Sequence, residues 1–332
     1  MRLATTTIGD LEVSRLGLGG MVLTKAFGDP DRDESIATLH LALDMGMCFV
    51  DTADSYADGQ NEIFVGQQIA ARREDVVLAS KFGLVVAHDG SIEVRGDPDY
   101  VRRACDASLV RLGVDHLDLY YQHRVDRQVP IDETVGAMAG LVIAGKVRHL
   151  GLCEVNPAEL RQAHSVHPIT AVESEWSLWA RQIEAGVLPV ARELGVGIVP
   201  YSPLGRGFLA GSIRSERALA VDDVRGADPR LRGENLEKNL ALLASLEKVA
   251  ESYGASPAQV TLAWLMAQGP DVVPIPGVER RDLLKQNIEA TQLVLAPQDM
   301  DHLGRLFAPG VAVGNPDATL LRETVALFQE DP

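Results

Sequence analysis

The sequence has few of the features that mark secreted, membrane-spanning or nucleic-acid-binding proteins. Its three cysteines, Cys48, Cys105 and Cys153, are an odd number without metal-like spacing, which indicates reduced thiols rather than disulfides or a metal site. No apolar run approaches the roughly 18 residues of a membrane span. The first residues, MRLATTTIGDLEV, also lack the apolar run of a signal peptide. We therefore expect a cytoplasmic protein without a membrane partner.

Basic charge is also in deficit. The chain has 31 Lys and Arg residues against 47 Asp and Glu residues, which gives a formal net charge of −16. Such an acidic balance argues against nucleic acid as a general partner, although a local basic pocket could still hold an anionic cofactor. The 332 residues, of which 46% are hydrophobic, suffice for a core without disulfides. No stretch has the composition of a linker, so we expect a single domain over residues 1–332.

Strand and helix patterns alternate along the chain after an N-terminal β-hairpin, whose turn is predicted at Gly9-Asp10. Short apolar runs predict eight strands, over residues 16–20, 47–50, 76–79, 117–121, 147–152, 169–172, 196–200 and 271–275. Helical spacing predicts the helices between and after them, over residues 34–45, 63–71, 98–112, 132–144, 157–166, 183–194, 236–252, 257–268 and 280–290. This alternation favours a (β/α)8 TIM barrel, with a long aperiodic segment, 202–235, between the seventh strand and the last helices.

The alternative fold is a doubly wound sheet that binds a dinucleotide. It would need the spacing G-x-G-x-x-G directly before a helix. The run Gly17-Leu18-Gly19-Gly20 lacks this spacing, and no helical pattern follows it at once. We therefore prefer the barrel.

Four polar side chains follow three consecutive strands of the predicted barrel. Asp51 and Tyr56 come after the second strand, Lys81 after the third and His123 after the fourth. Each also has a structural interpretation: Asp51 could cap a helix, Tyr56 could be an aromatic wedge, Lys81 could form an ion pair with Asp51, and His123 could be a core histidine. Since barrel enzymes have their active sites at the C-terminal ends of the strands, the coincidence of all four favours function.

The chemistry of these residues suits reduction of a carbonyl group. A phenol has a pKa near ~10 and donates its proton poorly at neutral pH, unless an adjacent ammonium such as Lys81 lowers its pKa. Asp51 would keep Lys81 charged, and His123 could orient a small-molecule carbonyl substrate beside Tyr56. The set has no nucleophile for acyl transfer. Reduction of a carbonyl needs a hydride, which these side chains do not supply, so the hydride must come from a cofactor.

Longer motifs carry a resemblance to a known family. They are FVDTADSYADGQNE, LASKFG, LDLYYQHRVD, GKVRHLGLCEVN, AVESEWSLWAR, VPYSPLGRGFL, PRLRGENLEKN and PIPGVERRDLLKQNIEA. In these motifs, up to about Ala290, the sequence resembles the aldo-keto reductase superfamily, in the bacterial, fungal and plant branch with the YSPLGRGFL run. The resemblance implies that Asp51, Tyr56, Lys81 and His123 form a catalytic tetrad in an NADP-dependent reductase of aldehydes and ketones, with Tyr56 as the acid.

The resemblance also implies a set of cofactor-binding residues, namely Gly20, Met21, Cys153, Glu173, Tyr201, Ser202, Leu204, Gly205, Arg206, Gly277, Glu279, Arg280, Gln286 and Asn287. Tyr201 would stack on the nicotinamide, and the loop 202–206 would surround the pyrophosphate. Relatives usually hold the nicotinamide amide with serine and glutamine, which are Cys153 and Glu173 here. Since cysteine bonds weakly and an ionised Glu cannot donate, either this amide contact is altered or Glu173 is protonated.

The choice between the two nicotinamide cofactors depends on the adenosine end. Relatives often have a lysine facing the 2′-phosphate of NADP, and Glu279 stands there in this chain. Arg280 and Arg281 suit a phosphate, whereas an acid suits a ribose hydroxyl. We expect NADP, with NAD also compatible because of Glu279. Gln286 and Asn287 would lie near the adenine.

Two further functions remain open from the sequence. Some members of the superfamily act mainly as cofactor-sensing regulatory subunits of membrane channels, with little turnover. A barrel isomerase or aldolase could instead use Lys81 to form a Schiff base, although Tyr56, His123 and the PIPG run argue against it.

Overall fold

The computed structural model describes residues 2–28, 30–86, 91–219 and 223–314. The aperiodic segment predicted at 202–235 therefore includes three residues, 220–222, that lie outside the described residues. Within the described ranges, no helix is long and apolar enough to cross a membrane.

Seven parallel strands form the central sheet, and their order follows the chain. They are β3 (Leu18–Gly19), β4 (Phe49–Asp51), β5 (Val77–Phe82), β8 (Leu117–Gln122), β9 (Val147–Cys153), β10 (Ala171–Glu175) and β11 (Gly197–Tyr201). Two antiparallel hairpins lie outside this sheet, namely β1 (Thr5–Ile8) with β2 (Leu11–Ser14), and β6 (Leu84–Val86) with β7 (Ile92–Val94). The first hairpin confirms the prediction from the sequence, and the second was not predicted.

An eighth segment closes the barrel without forming a regular strand. The amides of Val273 and Ile275 donate to β11, whereas the carbonyl oxygens of Pro274 and Pro276 accept from Gly17 and Gly19 beside β3. We call residues 271–277 the closing segment. Because proline has no N–H, this segment cannot complete a ladder on the side of β3, which explains why the predicted strand 271–275 is irregular. The (β/α)8 barrel is nevertheless confirmed.

Helices surround the barrel, largely where the sequence predicts them. They are α1 (Arg32–Asp44), α2 (Gln60–Ile69), α3 (Pro98–Leu112), α4 (Ile131–Ile143), α5 (Pro157–Val166), α6 (Gln182–Ala185), α7 (Val187–Glu193), α8 (Gly233–Ser252), α9 (Pro257–Met266), α10 (Arg281–Glu289) and α11 (Pro297–Leu306). Caps fix several starts: the side chain of Asp97 accepts from the amide of Tyr100, and Asn156 and Ser256 form capping boxes. The helix predicted at 183–194 is split at Gly186.

The N-terminal hairpin closes one end of the barrel and leaves the other for a site. Buried Ile8, Leu11 and Val13 belong to the same apolar cluster as the inward-facing Phe49 and Val199. A larger apolar cluster lies between the outside of the strands and the helices. Since the hairpin fills the N-terminal end of the barrel, polar side chains at the C-terminal ends of the strands face the open end.

Candidate active site

The C-terminal end of the barrel brings together the residues that the sequence predicts as catalytic. Asp51 ends β4, Lys81 lies near the end of β5, and His123 directly follows β8. The fully buried ammonium of Lys81 donates to Asp51 Oδ1 and, at 3.1 Å, to the carbonyl oxygen of Thr52. A carboxyl group and a backbone carbonyl oxygen therefore hold the ammonium in place.

Tyr56 joins this group from the loop after β4. Its hydroxyl lies 3.4 Å from Lys81 Nζ, and its ring lies edge-on to the imidazole of His123, with the ring centroids 5.9 Å apart. His123 Nδ1 is 3.4 Å from the hydroxyl of Ser55. The phenol of Tyr56 thus lies beside both an ammonium and an imidazole.

Burial and charge act in opposite directions on the phenol of Tyr56. Burial raises its pKa above the ordinary value, the ammonium of Lys81 opposes this rise, and Asp51 adds to it. Lys81 therefore has the effect that the sequence predicts, but burial outweighs it in the chain without a cofactor or substrate. The phenol is protonated at neutral pH, as a proton donor must be.

The protonation states of Lys81 and His123 follow from their surroundings. Burial lowers the pKa of Lys81, but Asp51 and Glu173 outweigh burial and hold that pKa well above its ordinary value. Burial, with Arg124 and Lys81, lowers the pKa of His123 well below its ordinary value. At neutral pH the lysine is charged and the histidine is neutral. A charged lysine is not a nucleophile, which argues against the Schiff-base alternative.

Glu173 and Cys153 lie on neighbouring strands, opposite each other in the register of β9 and β10. Both are buried, and Glu173 Oε2 lies 3.4 Å from Lys81 Nζ. Burial, reinforced by Asp51, raises the pKa of Glu173 to about 8, although Lys81 opposes this rise. Of the two interpretations that the sequence allows, the structure favours a protonated Glu173.

The loop after β11 has an unusual backbone at the predicted pyrophosphate position. Ser202, Gly205 and Arg206 all have positive φ angles, between 47° and 57°. A side chain at position 205 would clash, because its Cβ would lie 2.7 Å from Trp179 Nε1. Leu204 accepts from the amide of Gly207 at 3.1 Å. Such a turn, with successive left-handed residues, can direct backbone N–H groups towards an anion.

The predicted adenosine end follows the closing segment. Gly277 bridges to Gly19 of β3, and Glu279 and Arg280 are exposed. Arg280 pairs with Asp282 at 2.7 Å, and both side chains are more than half exposed. Exposed pairs of this kind contribute only about 0–1 kcal/mol, so a phosphate could displace the carboxylate.

The remaining predicted residues lie on both sides of the barrel opening. Gly20 is buried and Met21 is half-buried after β3, Tyr201 is half-buried at the end of β11, and on α10 Gln286 is half-buried and Asn287 buried. All the predicted positions therefore fall at the C-terminal end of the barrel or on the element that follows the closing segment.

Comparison with known proteins identifies the chain. The model of the aldo/keto reductase family matches residues 15–306. A soybean (Glycine max) protein described as probable aldo-keto reductase 1 is 46% identical over 305 residues, which cover 91% of this chain and 88% of that protein. The chain belongs to the aldo/keto reductase family.

Solved structures of aldo-keto reductases have the same barrel. The glycerol dehydrogenase AKR11B4 from Gluconobacter oxydans is 30% identical, with a TM-score of 0.84 over 94% of this chain and 97% of that one. A thermostable aldo-keto reductase, Tm1743, solved with the inhibitor epalrestat, is 28% identical, with a TM-score of 0.71 over 92% of this chain and 100% of that one.

Enzymes of the aldo/keto reductase family use nicotinamide cofactors, and the residues present fit such a group. Glu173 Oε2 is buried and has no hydrogen-bond partner among the described residues, so the amide of a nicotinamide could satisfy it. Arg206 and Arg280 lie at the other predicted contacts, where they could face phosphates. The buried oxygen of Glu173 therefore matches the nicotinamide of a dinucleotide, and the two arginines farther out match its phosphates.

Two features of this reductase were not predicted from the sequence. The buried amide of Asn61 donates at 2.8 Å to both the carbonyl oxygen of Gly20 and the hydroxyl of Thr24, and it accepts from Thr52 at 2.6 Å. It therefore joins the loop after β3 to the one after β4. The signal was an asparagine in the first turn of α2, next to the predicted tetrad, but no contact was predicted for it.

The hairpin β6–β7 is the second unpredicted feature. Leu84 of this hairpin forms a small apolar cluster with Ile92, Val94, Met21 and the ring of Tyr56. By contrast, Phe82 at the end of β5 is fully buried against other aromatic rings. The apolar surface beside the phenol of Tyr56 therefore comes largely from the hairpin.

Proposed function

We propose that this aldo-keto reductase uses NADPH to reduce aldehydes and ketones to alcohols, with Tyr56 as the proton donor. The observation that carries the proposal is the position of the Tyr56 hydroxyl, 3.4 Å from an ammonium that is itself bound to the buried Asp51. A phenol, a buried ammonium and a neutral imidazole at one barrel mouth suit protonation of a carbonyl oxygen.

Each residue of the tetrad has a distinct role in this proposal. When bound, the nicotinamide supplies the hydride that adds to the carbonyl carbon. Tyr56 gives its proton to the oxygen, and the ammonium of Lys81 stabilises the phenolate that remains. Asp51 holds Lys81 in position and keeps it charged. His123, neutral at the working pH, can donate one hydrogen bond that orients the carbonyl oxygen.

The wall beside Tyr56 favours substrates with an apolar or aromatic part. Met21, Leu84, Ile92 and Val94 contribute this surface, and burying an apolar group there gains about 25 cal/mol for each Å² removed from water. The solved relative that is named a glycerol dehydrogenase indicates a second class to test, small polyols in the oxidative direction.

NADP is the cofactor that we propose, because Arg280 follows the closing segment and can face a 2′-phosphate, while Arg281, which pairs with Glu34 at 2.7 Å, adds positive charge beside it. Glu279 opposes this preference, since a carboxylate repels phosphate. The side chain of Glu279 is exposed, but the protein around it still withdraws enough water to raise its pKa, against the opposing effect of Arg225. We therefore expect use of NADPH with measurable use of NADH.

The test combines turnover with nucleotide binding. Initial rates with an activated aromatic aldehyde are measured with NADPH and with NADH, for the wild type, Tyr56→Phe and the control Tyr253→Phe, whose hydroxyl bonds to Asp299 away from the site. We expect Tyr56→Phe to lose at least ~100-fold in kcat, the low end for general acid catalysis, while fluorescence titration shows unchanged NADPH affinity. Full activity of Tyr56→Phe would refute the proposal.

A further inference from the structure

Glu173 is a buried acid that the mechanism above does not use. It lies on β10, opposite Cys153 of β9 and Val199 of β11 in the strand register, and its exposed fraction is 3%. Its Oε2 atom lies 3.4 Å from Lys81 Nζ but makes no hydrogen bond within the described residues. The nicotinamide amide would satisfy this oxygen only when the cofactor is bound, so its approach to the catalytic lysine in the free protein requires an explanation.

Groups from several elements of the barrel face Glu173, and only some of these groups are charged. Asp51 of β4 and Lys81 of β5 act on it most strongly, and Arg124 after β8 acts more weakly. The neutral groups that face it are Tyr56, Tyr121 of β8 and Cys153 of β9; the opposing residue of β11, Val199, is apolar. One buried ammonium therefore serves two carboxyl groups. Burial raises the pKa of both carboxyl groups. Because Lys81 donates directly to Asp51 and lies farther from Glu173, we assign the retained proton to Glu173.

We propose that Glu173 is a positioning residue of the reduction and acts through Lys81 as a neutral carboxylic acid. While Glu173 is neutral, the charge of Lys81 that Asp51 does not balance is available to the phenol of Tyr56. Loss of the proton from Glu173 places a second negative charge in the site and opposes the phenolate that forms when Tyr56 protonates the substrate. This inference rests on the proposed function of the tetrad.

The proposal has a consequence for the dependence of the rate on pH. Since the pKa of Glu173 is raised to about 8, chiefly by burial, the group is mostly neutral at pH 7 and mostly ionised at pH 9. If the ionised form is inactive in reduction, kcat/KM at pH 9 should be about tenfold below its neutral plateau, because each pH unit above a pKa reduces the acid form tenfold. Glu173→Gln cannot ionise, so its rate, whatever its value at pH 7, should not fall between pH 7 and pH 9.

The first measurement needs neither cofactor nor substrate. Infrared difference spectra of the protein at pH 7 should show the carbonyl stretch of a buried carboxylic acid, which disappears as the pH passes about 8. The band should be absent from Glu173→Gln and present in Cys153→Ser, which changes the opposing residue only. Carbon-13 labelling of glutamate carboxyl groups should shift the band to lower frequency, whereas the same labelling of aspartate should not, which would show that the proton is on Glu173 rather than on Asp51. A wild type without this band at pH 7 would overturn the proposal.

The second measurement is the pH profile of kcat/KM for aldehyde reduction in the wild type and Glu173→Gln, with NADPH binding and circular dichroism as checks on folding. We expect an alkaline decrease in the wild type that Glu173→Gln abolishes. The same decrease in both proteins would refute the role of Glu173 alone, because the wild type would still reduce aldehydes. A wild type that shows the infrared band but no turnover with either nucleotide would instead refute the function on which the role depends.

Discussion

Replacing Arg230 by methionine should lower the free energy of unfolding by about 3–5 kcal/mol, whereas the same change at Arg225 should lower it by only about 1 kcal/mol. The two arginines belong to successive Asp-x-Arg turns with nearly identical hydrogen bonds. In each turn the aspartate accepts from the backbone amide of the arginine at 2.9 Å and from its guanidinium at two further atoms.

The difference between the turns lies in their burial. The side chains of Arg230 and Asp228 are 2% and 0% exposed, whereas those of Arg225 and Asp223 are 18% and 3% exposed. Both arginines also pack over an aromatic ring, so this contact does not distinguish them. Removing Arg230 leaves Asp228 buried without its partner, which is the costly case. Removing the partly exposed Arg225 opens its turn to solvent, so that water can reach Asp223.

Urea unfolding, followed by tryptophan fluorescence, measures both losses, and equal m-values for the two variants would show that the unfolded states are comparable. The double variant Arg230→Met with Asp228→Asn should recover part of the loss, because it removes the orphaned charge and keeps an acceptor for the backbone amide. Equal losses at the two positions, or no recovery in the double variant, would refute the argument from burial.

Three other predictions concern the site. Asn61→Ala should lower the free energy of unfolding by about 3 kcal/mol, because three hydrogen bonds of about 1 kcal/mol each are lost; urea unfolding measures it. Glu279→Lys should increase the affinity for NADPH relative to NADH by at least about tenfold, since a charge-assisted contact replaces a repulsion; fluorescence titration with both nucleotides measures it. His123→Gln should reduce the loss of stability below pH 6.5. Below pH 6.5 this histidine binds a proton only in the unfolded state, so the free energy of unfolding of the wild type falls by about 1.4 kcal/mol for each pH unit. Urea unfolding between pH 7 and 5 measures this slope in both proteins.

Matched variants make these predictions decisive. Asn235→Ala removes a single bond, from its amide to the carbonyl oxygen of Pro229 at 2.9 Å, and should cost about one third as much as Asn61→Ala. Glu251→Lys, an exposed change at the end of α8, should leave the cofactor preference unchanged. Parallel stability curves for His123→Gln and the wild type below pH 6.5 would contradict a neutral His123.

Local signals explain why most of the barrel could be predicted from the sequence. Helix α3 was predicted with its observed bounds, because Asp97 and Pro98 mark its start and Gly113 follows its end. The start of α4 was less clear: Pro130 precedes its first turn, and Asp132, where the helix was predicted to begin, lies inside it. The hairpin β6–β7 was missed because its three-residue strands are too short to show an alternating pattern.

The candidate site was predictable only where neighbouring strands supply it. Asp51 and Lys81 end adjacent strands, so their meeting followed from the strand order. Glu173 lies on β10, across the barrel from β4, and its approach to Lys81 depends on how the sheet closes and on the rotamers of two long side chains. A one-dimensional pattern contains neither piece of information. The balance between burial and charge at Tyr56 likewise needed the three-dimensional surroundings.

The prolines of the closing segment weaken the joint between this segment and β3. Because Pro274 and Pro276 accept bonds from the side of β3 but donate none, this joint has fewer hydrogen bonds than an ordinary parallel pair. Under heat or force, the barrel should separate there first. The predicted cofactor positions lie on both sides of the joint, at Gly20 on one side and at 277–280 on the other. A bound dinucleotide would therefore contact both sides of the joint and stabilise it. Amide hydrogen exchange at Gly17 and Gly19 should slow when the nucleotide binds.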